Sequence, residues 1–343
     1  MIVTYKKISL KELLNRNNQK QTVVSTKTIG ILPYHPSTDR LLLSRASKYK
    51  GIDLNSKYQK ITIPKKKGGF RHLVNPEPEL KQLQKDIALH LYYLGCLPHN
   101  NAFAYVKNKD TTLNAKVHKD SKVILALDIK DFFGSITLEN LVNRLNEFAI
   151  IPYTKDELHT LLYVCCLNGT LPQGSPASPL LSNLYMVVFD NRITTLCSKL
   201  GYKYTRYADD MFISGNDIPH PVRLIKTIQE YLDKTSNNTL LLNKEKTKIL
   251  RPGKCYITGV KINKDNKLSY GHEKKAELKH MIHNLFIKHL NGICTKEEVQ
   301  ETLGLYSYAR RIEPEYFSYL EKKFLRKFNS KEISFAKYFK EYL

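Results

Sequence analysis

The stretch Tyr204-Thr-Arg-Tyr-Ala-Asp-Asp-Met211 decides which fold this sequence can adopt. It joins two short segments, residues 202–208 and 211–214, whose aromatic and β-branched side chains predict two strands connected at Asp209 and Asp210. An aspartate pair between two strands is in most proteins only a solvated turn, because Asp favours turn positions. Other parts of the sequence must therefore decide whether these carboxylates carry chemistry.

A third carboxylate, Asp128, precedes this pair by 81 residues. The apolar run Val123–Ile129 predicts a buried strand, and Asp128 stands near its end. If this strand lies beside the hairpin, three carboxylates converge. Attack of a hydroxyl on a nucleotide phosphorus can be driven by two Mg²⁺ ions about 3.5–4 Å apart, and Mg²⁺ prefers hard oxygen ligands. The pattern indicates two-metal nucleotidyl transfer.

These segments resemble two motifs of the reverse transcriptases. Leu127-Asp-Ile-Lys-Asp-Phe-Phe133 is similar to the first catalytic motif of that family, and Tyr207-Ala-Asp-Asp210 is similar to its catalytic hairpin. The resemblance implies an α+β right-hand polymerase whose palm is an antiparallel sheet with helices. It also implies two Mg²⁺ per active site. The residues that it assigns to catalysis are Asp128, Asp209 and Asp210, and Ile129 joins them as a metal ligand.

The same resemblance predicts three domains along the chain. We expect fingers over residues 1–127, including an N-terminal helical region, a palm over residues 128–264, and a helical thumb over residues 265–343. Residues of about 140–180 would return to the fingers.

Local signals add further elements. Ser178 as N-cap and Pro179 at the first helical position predict the start of one long buried helix. Residues 256–262 predict a single strand. From His272 onward we expect three helices, the second opened by a capping box formed by Thr295 and Glu298.

A nucleotide pocket is indicated by Leu171-Pro-Gln-Gly-Ser-Pro-Ala-Ser-Pro179, which resembles the pocket segment of the family. Gln173 would line the incoming nucleotide. The resemblance also places Phe133 against the sugar, where its ring would exclude a 2′-hydroxyl and select dNTPs, and it places backbone groups of Asp131 and Phe132 towards the triphosphate. The alternative for the two phenylalanines is a position in the core.

A basic hairpin is predicted around the turn Lys65-Lys-Lys-Gly-Gly69, between residues 59–64 and 70–74. It is similar to the fingertip hairpin of the family, so Lys65 or Lys66 and Arg71 would hold the triphosphate. An ordinary exposed hairpin is the alternative. Lys246 matches the lysine that the family places near the leaving phosphates. Because Lys244 and Lys248 lie close by in the sequence, either of them could occupy that position instead.

Two shorter segments resemble signatures of retron reverse transcriptases. Asn114-Ala-Lys-Val-His118 is similar to their N-A-x-x-H motif, and Ile257-Thr-Gly259 is similar to their V-T-G motif, with Ile in place of Val. Asn114, His118, Thr258 and Gly259 would then contact RNA. In the thumb, Arg310 and Arg311 near Tyr306 and Tyr308 would add RNA contacts, and helix packing by the tyrosines is an equally good alternative.

The retron resemblance implies several partners. These are a structured noncoding RNA that serves as template and primer, the DNA product, dNTPs, and a separate effector protein in defence against phage. The alternatives are a group II intron-like or CRISPR-associated reverse transcriptase, and a non-catalytic RNA-binding protein on a polymerase fold. Intron proteins usually continue into maturase and endonuclease regions, and the carboxylate set favours an enzyme.

The charge distribution favours a nucleic-acid partner. The chain carries 55 Lys and Arg against 32 Asp and Glu, a formal charge of +23. Counted along the sequence, this charge divides into +15 for residues 1–127, +2 for residues 128–260 and +6 for residues 261–343. Basic flanks around a nearly neutral centre suit phosphate contacts around a metal site. The six cysteines show no zinc spacing, and no apolar run reaches the ~20 residues of a membrane span, so we expect a cytoplasmic protein without membrane contact. The resemblance to retron reverse transcriptases implies that its cytoplasm is bacterial.

Overall fold

A computed structural model of the chain describes residues 36–64 and 68–343. They form two compact units. The first unit contains the described residues up to His99 with Lys130–Asn191 and Gln229–Leu241, and the second contains Asn100–Ile129, Arg192–Ile228 and Leu242–Leu343. Each unit joins distant parts of the chain. The predicted boundaries of fingers, palm and thumb stay predictions.

Helices and strands are mixed through most of the chain, and the last part is helical, so the predicted α+β class is confirmed. The described α-helices, in chain order, are α1 (Pro36–Ser47), α2 (Pro78–Tyr93), α3 (Thr111–His118), α4 (Leu138–Asn146), α5 (Lys155–Tyr163), α6 (Ser178–Tyr185), α7 (Val187–Lys199), α8 (Pro221–Ser236), α9 (His272–Leu290), α10 (Lys296–Ile312), α11 (Pro314–Lys327) and α12 (Phe335–Tyr338). Short 3₁₀ turns occur at Leu54–Lys57 and Lys340–Tyr342.

The strands form three sheets. In chain order they are β1 (Tyr58–Pro64), β2 (Phe70–Pro76), β3 (Val123–Lys130), β4 (Lys203–Tyr207), β5 (Asp210–Gly215), β6 (Leu241–Leu242), β7 (Lys248–Leu250), β8 (Cys255–Ile257), β9 (Val260–Ile262) and β10 (Leu268–Ser269). β1 and β2 form the predicted antiparallel hairpin, β8, β9 and β10 form a three-stranded sheet, and the other five strands form the sheet that carries the acidic residues.

The five-stranded sheet has the order β4-β5-β3-β6, and β7 also pairs with β3. β3 is antiparallel to β5, with Val123 opposite Gly215 and Asp128 opposite Asp210. Ile124, Leu125, Leu127 and Ile129 are all buried, so β3 is covered on both faces, as its continuous apolar sequence predicts. The predicted strands on either side of the Asp209-Asp210 pair are confirmed as β4 and β5.

The prediction of one strand over residues 256–262 is wrong. The chain reverses between β8 and β9, with Ile257 opposite Val260 and a two-residue turn of Thr258 and Gly259. Both turn residues have positive φ angles, 45° and 85°, which is the conformation of a type I′ hairpin turn. The sequence does not reveal this turn, because β-branched residues on both sides favour a continuous strand. Thr-Gly is also a weaker turn signal than Asn-Gly.

The long helix predicted from Ser178 is also divided. α6 ends at Tyr185 and α7 begins at Val187, with Met186 as the C-cap of α6. Ser178 is not the N-cap, since that position is Ala177, and the Ser178 hydroxyl instead donates to the carbonyl of Pro172 at 2.8 Å. The apolar periodicity runs through the break and gives no sign of it.

The three predicted C-terminal helices are confirmed as α9, α10 and α11, and the capping box of Thr295 and Glu298 is present. Their core is aromatic, because Phe286, Phe317, Phe335 and Phe339 are all fully buried. The Phe286 ring centroid lies 5.6 Å from that of Phe335 and 5.1 Å from that of Phe339. Among the described residues, no helix combines the length and the apolar character that a membrane span requires.

Candidate active site

Three carboxylates converge at the ends of neighbouring strands in the second unit. Asp128 on β3 is the register partner of Asp210 on β5, and the backbone N–H of Ile129 donates to the carbonyl of Asp209 at 3.0 Å. The pairing of β3 with β5 therefore joins the two acidic motifs that lie 81 residues apart in the sequence. The structure brings together all three residues predicted to be catalytic.

The turn that carries Asp209 has a strained backbone. Ala208 has a φ angle of 57°, a left-handed conformation that costs a residue with a Cβ about 1–2 kcal/mol. The carbonyl of Ala208 accepts a hydrogen bond from Nη1 of Arg206 at 3.1 Å, and the Arg206 side chain is fully buried. The hydrogen bond from the buried Arg206 side chain therefore stabilises the strained backbone of this turn.

Sequence reasoning missed Arg206 as a structural part of the site. It also makes backbone hydrogen bonds on both sides, donating to the carbonyl of Asn101 and accepting from the N–H of Phe103. A signal exists in the sequence, because an arginine between apolar and aromatic residues of a short buried strand is costly unless it has a local partner.

The charges at the site are poorly compensated. Burial, together with the neighbouring Asp209 and Asp128, raises the pKa of Asp210 to about 7, although Lys246 acts in the opposite direction. Asp128 is buried, and its Oδ2 accepts a hydrogen bond from Nζ of Lys246 at 2.8 Å. The other oxygen of Asp128, Oδ1, is buried without a hydrogen-bond partner. The site is therefore short of positive charge.

These features fit divalent metal ions. A buried carboxylate oxygen without a partner and a second carboxylate that resists ionisation are both stabilised by a hard cation, and the donors are the oxygens that Mg²⁺ prefers. In the present arrangement, no group of three or more His, Cys, Asp or Glu side chains within residues 36–64 and 68–343 already has the geometry of a metal site. Lys246 occupies one oxygen of Asp128, so ion binding requires local rearrangement.

Lys246 is the lysine that faces the carboxylates. Its hydrogen bond to Asp128 is the largest cause that raises its pKa above the ordinary value. The segment before it is fixed to β3, because the N–H of Asn243 donates to the carbonyl of Asp128 at 2.7 Å. Lys248 instead lies in β7, opposite Ala126. The structure thus places Lys246 at the site, and the predicted contact with phosphates stays a prediction.

Two predicted nucleotide contacts share a pocket in the first unit. Asp131 and Gln173 both line a pocket of about 250 Å³. Its other lining residues are His72 and Val74 of β2, Gly134, Leu167, Asn168, Thr170, Leu171 and Pro172. Phe132 is buried, Phe133 is half-buried, and their ring centroids are 5.4 Å apart.

The basic hairpin is tied to this pocket through its second strand. The N–H of Val74 donates to the carbonyl of Gln173 at 2.9 Å. Gly174 has a φ angle of 120°, and a Cβ there would lie 2.0 Å from the carbonyl oxygen of Val74, so only glycine permits this approach. Arg71 is exposed on β2 opposite Ile63. Lys65 and Lys66 lie outside the described residues.

The two segments that resemble retron signatures contact each other in the second unit. The Asn114 side-chain amide donates to Oγ1 of Thr258 at 3.4 Å, and that hydroxyl donates to the carbonyl of Thr111 at 3.3 Å. Gly259 completes the β8–β9 turn. The Asn114 side chain is fully buried, so its contacts in this structure are with the protein. The predicted RNA contacts of Asn114, Thr258 and Gly259 stay predictions.

His118 is buried against the hairpin of β4 and β5. Its Nδ1 lies 2.7 Å from the hydroxyl of Ser214 on β5, and its Nε2 lies 2.7 Å from the hydroxyl of Thr205 on β4. Burial and, to a smaller extent, the charge of Lys203 lower the pKa of His118 to about 3, so the ring is neutral. His118 has no exposed surface, and a direct RNA contact would require it to leave these partners.

The predicted thumb contacts divide into two kinds. Tyr306 is buried and its hydroxyl donates to the carbonyl of Phe317, and the hydroxyl of Tyr308 lies 3.1 Å from Oγ1 of Thr111, so both tyrosines pack as the structural alternative predicts. Arg310 and Arg311 have exposed side chains, each paired with an acid: Glu321 at 3.3 Å and Asp110 at 2.9 Å respectively. Their RNA contacts stay predictions.

Comparisons with known proteins show what the whole chain is similar to. The family model described as reverse transcriptase (RNA-dependent DNA polymerase) matches residues 63–285. The Retron Ec83 reverse transcriptase of Escherichia coli is 32% identical over 302 residues, covering 84% of this chain and 91% of that protein. The Retron Ec73 reverse transcriptase of the same organism is 29% identical over 78% of this chain and 87% of that protein. A solved telomerase of Candida albicans with a telomeric RNA fragment aligns with 89% of this chain and 62% of its own, at 13% identity and a TM-score of 0.43.

Proposed function

The chain belongs to the reverse transcriptase family of RNA-directed DNA polymerases, and we propose that it copies a structured noncoding RNA into DNA as a retron enzyme. The proposed catalytic activity rests on one observation: Asp128 is the register partner of Asp210, next to the turn that holds Asp209. Two Mg²⁺ ions held by these carboxylates and the Ile129 carbonyl would activate the attacking hydroxyl and stabilise the leaving oxygen.

The reaction joins a hydroxyl oxygen of the primer to the α-phosphorus of a dNTP. The bond between that phosphorus and the bridging oxygen of pyrophosphate breaks, and the hydroxyl proton is released to solvent. Lys246, now paired with Asp128, is the chain's own cation at this position, and we propose that it moves to the leaving phosphates and donates a proton there. Solvent then returns a proton to the lysine.

The pocket of the first unit supports a role in nucleotide selection. We propose that Gln173 and the backbone of Asp131 and Phe132 line the incoming dNTP, that Phe133 lies against its sugar, and that Arg71 with Lys65 or Lys66 contacts its phosphates. The support is that Asp131 and Gln173 line one pocket, which is joined to the arginine-bearing strand by the hydrogen bond from Val74.

The retron assignment adds a specific product. We propose that the RNA is both template and primer, that a guanosine 2′-hydroxyl starts synthesis, and that the product is a branched RNA-DNA molecule. The support is the similarity to retron reverse transcriptases over most of the chain and the contact between Asn114 and Thr258 of the two signature segments. A separate effector protein, a role in defence against phage and a place in the bacterial cytoplasm belong to the same proposal.

Recovery of DNA from cells tests this function. The gene and its flanking DNA are expressed in bacteria, and total DNA is separated under denaturing conditions before and after RNase treatment. We expect a short DNA whose mobility increases with RNase and which disappears in the Asp210→Asn variant, but persists in the Asp265→Asn variant, where an exposed aspartate outside the site is changed. DNA without linked RNA would favour the intron-like or CRISPR-associated alternative, and no DNA would contradict the proposal.

A further inference from the structure

The two peptide groups on either side of Asp209 are both held by hydrogen bonds. The peptide between Ala208 and Asp209 accepts, through its carbonyl oxygen, from Nη1 of Arg206 at 3.1 Å. The peptide between Asp209 and Asp210 accepts from the N–H of Ile129 at 3.0 Å. A peptide group is planar and rigid, so a hydrogen bond to its oxygen restricts the orientation of the whole plane. The backbone from which the Asp209 carboxylate extends is therefore fixed on both sides.

The hydrogen bond from Arg206 acts at the most strained part of the hairpin. β4 ends at Tyr207 and β5 begins at Asp210, so only Ala208 and Asp209 connect the two strands. Ala208 has a φ angle of 57°, which a residue with a Cβ adopts at a cost. Without a partner for its carbonyl, this peptide can rotate towards a relaxed conformation and carry the backbone of Asp209 with it. The position of Asp209 therefore depends on the donor to that carbonyl.

The Arg206 side chain is an unusual choice for a residue that only completes a turn. It is fully buried, and the removal of a guanidinium from water is costly unless hydrogen bonds compensate. A small neutral side chain could donate to one carbonyl at a much smaller desolvation cost, so stabilisation of the turn alone does not explain a charged residue here. A guanidinium is planar with its donors in a fixed geometry, so it sets the direction of a hydrogen bond as well as its length.

The backbone of Arg206 is itself anchored by a neighbouring segment. Its N–H donates to the carbonyl of Asn101 at 2.8 Å, and its carbonyl accepts from the N–H of Phe103 at 2.7 Å. The side-chain amide of Asn101 donates in turn to Oγ1 of Thr194 on α7 at 2.9 Å. The guanidinium thus extends from a backbone that other elements hold in place, and its reach to the turn is set by the fold.

We infer that Arg206 is a positioning residue for the catalytic centre, which holds Asp209 beside β3 through the carbonyl of Ala208. The inference rests on the proposed polymerase function, because Arg206 acts on metal binding and on nucleotidyl transfer without touching the reacting atoms. Removal of a residue that orients a metal ligand lowers metal affinity by about 10–100-fold. Misplacement of a reacting group by about 1 Å lowers the rate by about 10²-fold. Binding of primer and template does not depend on Arg206.

Metal binding without catalysis is the first test. Mn²⁺ is titrated into the full chain, and the free ion is followed by electron paramagnetic resonance. We expect Arg206→Met to bind Mn²⁺ at least about tenfold more weakly than the wild type, and Arg206→Lys, which keeps a donor and the charge, to lie between them. Loss of a positive charge alone would strengthen cation binding, so weaker binding identifies the effect of position. Equal or tighter binding by Arg206→Met would overturn the inference.

The rate of primer extension is the second test. It is measured in a single turnover at saturating dNTP and divided by the folded fraction from chemical unfolding. We expect Arg206→Met to be about 10²-fold slower per folded molecule, with the affinity for primer and template unchanged. A loss of rate that the folded fraction fully explains would overturn the inference. Failure of both Arg206 variants to fold would also overturn it, because the role of Arg206 would then be structural.

The matched control is Thr205→Val. Thr205 is the preceding buried residue of β4, and alternation along a strand places its side chain on the other face, where its hydroxyl lies 2.7 Å from Nε2 of His118. This variant should lower stability but keep the wild-type rate per folded molecule. An equal loss of rate in the control would contradict a specific role of Arg206.

The wild type separates the two proposals. If it binds Mn²⁺ but extends no primer, the proposed polymerase function fails, and the Mn²⁺ affinities of the Arg206 variants still decide whether the residue positions the metal ligands. If the wild type extends the primer and Arg206→Met does so at the same rate per folded molecule, only the positioning role fails.

Discussion

Nζ of Lys246 lies 2.8 Å from Oδ2 of Asp128, so the lysine holds a carboxylate that metal ions would use. The pair is unequal in exposure, with 62% of the lysine side chain and 8% of the aspartate side chain exposed. The lysine can therefore leave towards solvent or towards a phosphate at low cost, whereas the aspartate remains in place. Lys246 partly neutralises the carboxylates in this structure, and a divalent cation would compete with it for Asp128.

Replacement of Lys246 separates its chemical role from general charge. We expect Lys246→Gln to slow nucleotide addition by about 10²-fold, the lower end of the usual effect of a lost proton donor. Lys244→Gln, at an exposed neighbouring lysine, should change the rate by less than about twofold if Lys244 has no role in the reaction. Single-turnover extension of a primer at saturating dNTP provides the measurement. Equal effects of the two variants on the rate would contradict a specific role of Lys246 in the reaction.

Asp210 should make the metal-free protein less stable as pH rises. Its pKa is raised to about 7 in the folded state, so between about pH 4 and pH 7 the folded protein binds more protons than the unfolded chain. Stability from this group is present below the unfolded pKa and is lost as pH rises through about 7. We expect Asp210→Asn to raise the free energy of unfolding at pH 8 by about 1–3 kcal/mol, and by much less at pH 5.

Chemical unfolding with EDTA at the two pH values measures this effect. Asp265→Asn is the control, since Asp265 is exposed and lies outside the carboxylate site. Equal stabilisation by Asp210→Asn at pH 5 and pH 8 would show that Asp210 carries no charge penalty.

Gly174 should be the residue that permits the hairpin to approach the pocket loop. A Cβ at this position would lie 2.0 Å from the carbonyl oxygen of Val74, which is backbone and cannot turn aside. We expect Gly174→Ala to lower the free energy of unfolding by about 2–4 kcal/mol and to raise the KM for dNTP. Gly169→Ala is the matched control, because Gly169 also has a positive φ angle but nothing within 4 Å of the added atom. Similar losses in both variants would mean that backbone strain alone is responsible.

We expect His118 to contribute to the stability of the fold and not to RNA binding. Replacement by Ala leaves the hydroxyls of Ser214 and Thr205 without their imidazole partner in the core, so we expect a loss of about 2–4 kcal/mol, measured by chemical unfolding at pH 7.5. RNA affinity per folded molecule should be unchanged. A large loss of affinity with unchanged stability would instead support the direct RNA contact that the sequence predicts.

The depressed pKa of His118 also gives a pH dependence. The unfolded chain takes up a proton at this residue near pH 6.5, whereas the folded protein does so only near 3. The contribution of His118 to stability is therefore complete above about pH 6.5 and is lost as pH falls towards 3. The wild type should lose more stability than His118→Ala between pH 7.5 and pH 5. His159→Ala, at an exposed histidine, serves as the control and should follow the wild type.

The convergence of the three carboxylates could be predicted from the sequence because its signals are local. An apolar strand that ends in Asp128 and a hairpin that bears Asp209 and Asp210 each follow from short patterns, and strand pairing joins them. Two breaks escaped prediction because apolar residues continue through them: the turn at Thr258 and the junction at Met186.

The structural roles of His118 and Arg206 could not be predicted from the sequence for another reason. Both are polar side chains whose partners come from distant or strained parts of the chain, and sequence spacing does not show which polar residues are buried. A histidine in a short amphipathic helix reads as a surface residue until the strands that receive its hydrogen bonds are known. Burial, which decides between contact with RNA and contact with protein, is a property of tertiary structure.

Primer extension by purified protein with Mg²⁺ on an RNA template tests the central claim most directly. Wild type should extend the primer with dNTPs, and Asp209→Asn should lower the rate by at least about 10³-fold while binding of the template and primer changes little, because the carboxylate acts on the reacting atoms. Asp265→Asn should extend at the wild-type rate. Extension by Asp209→Asn at the wild-type rate would contradict the assignment of the three carboxylates as the catalytic centre.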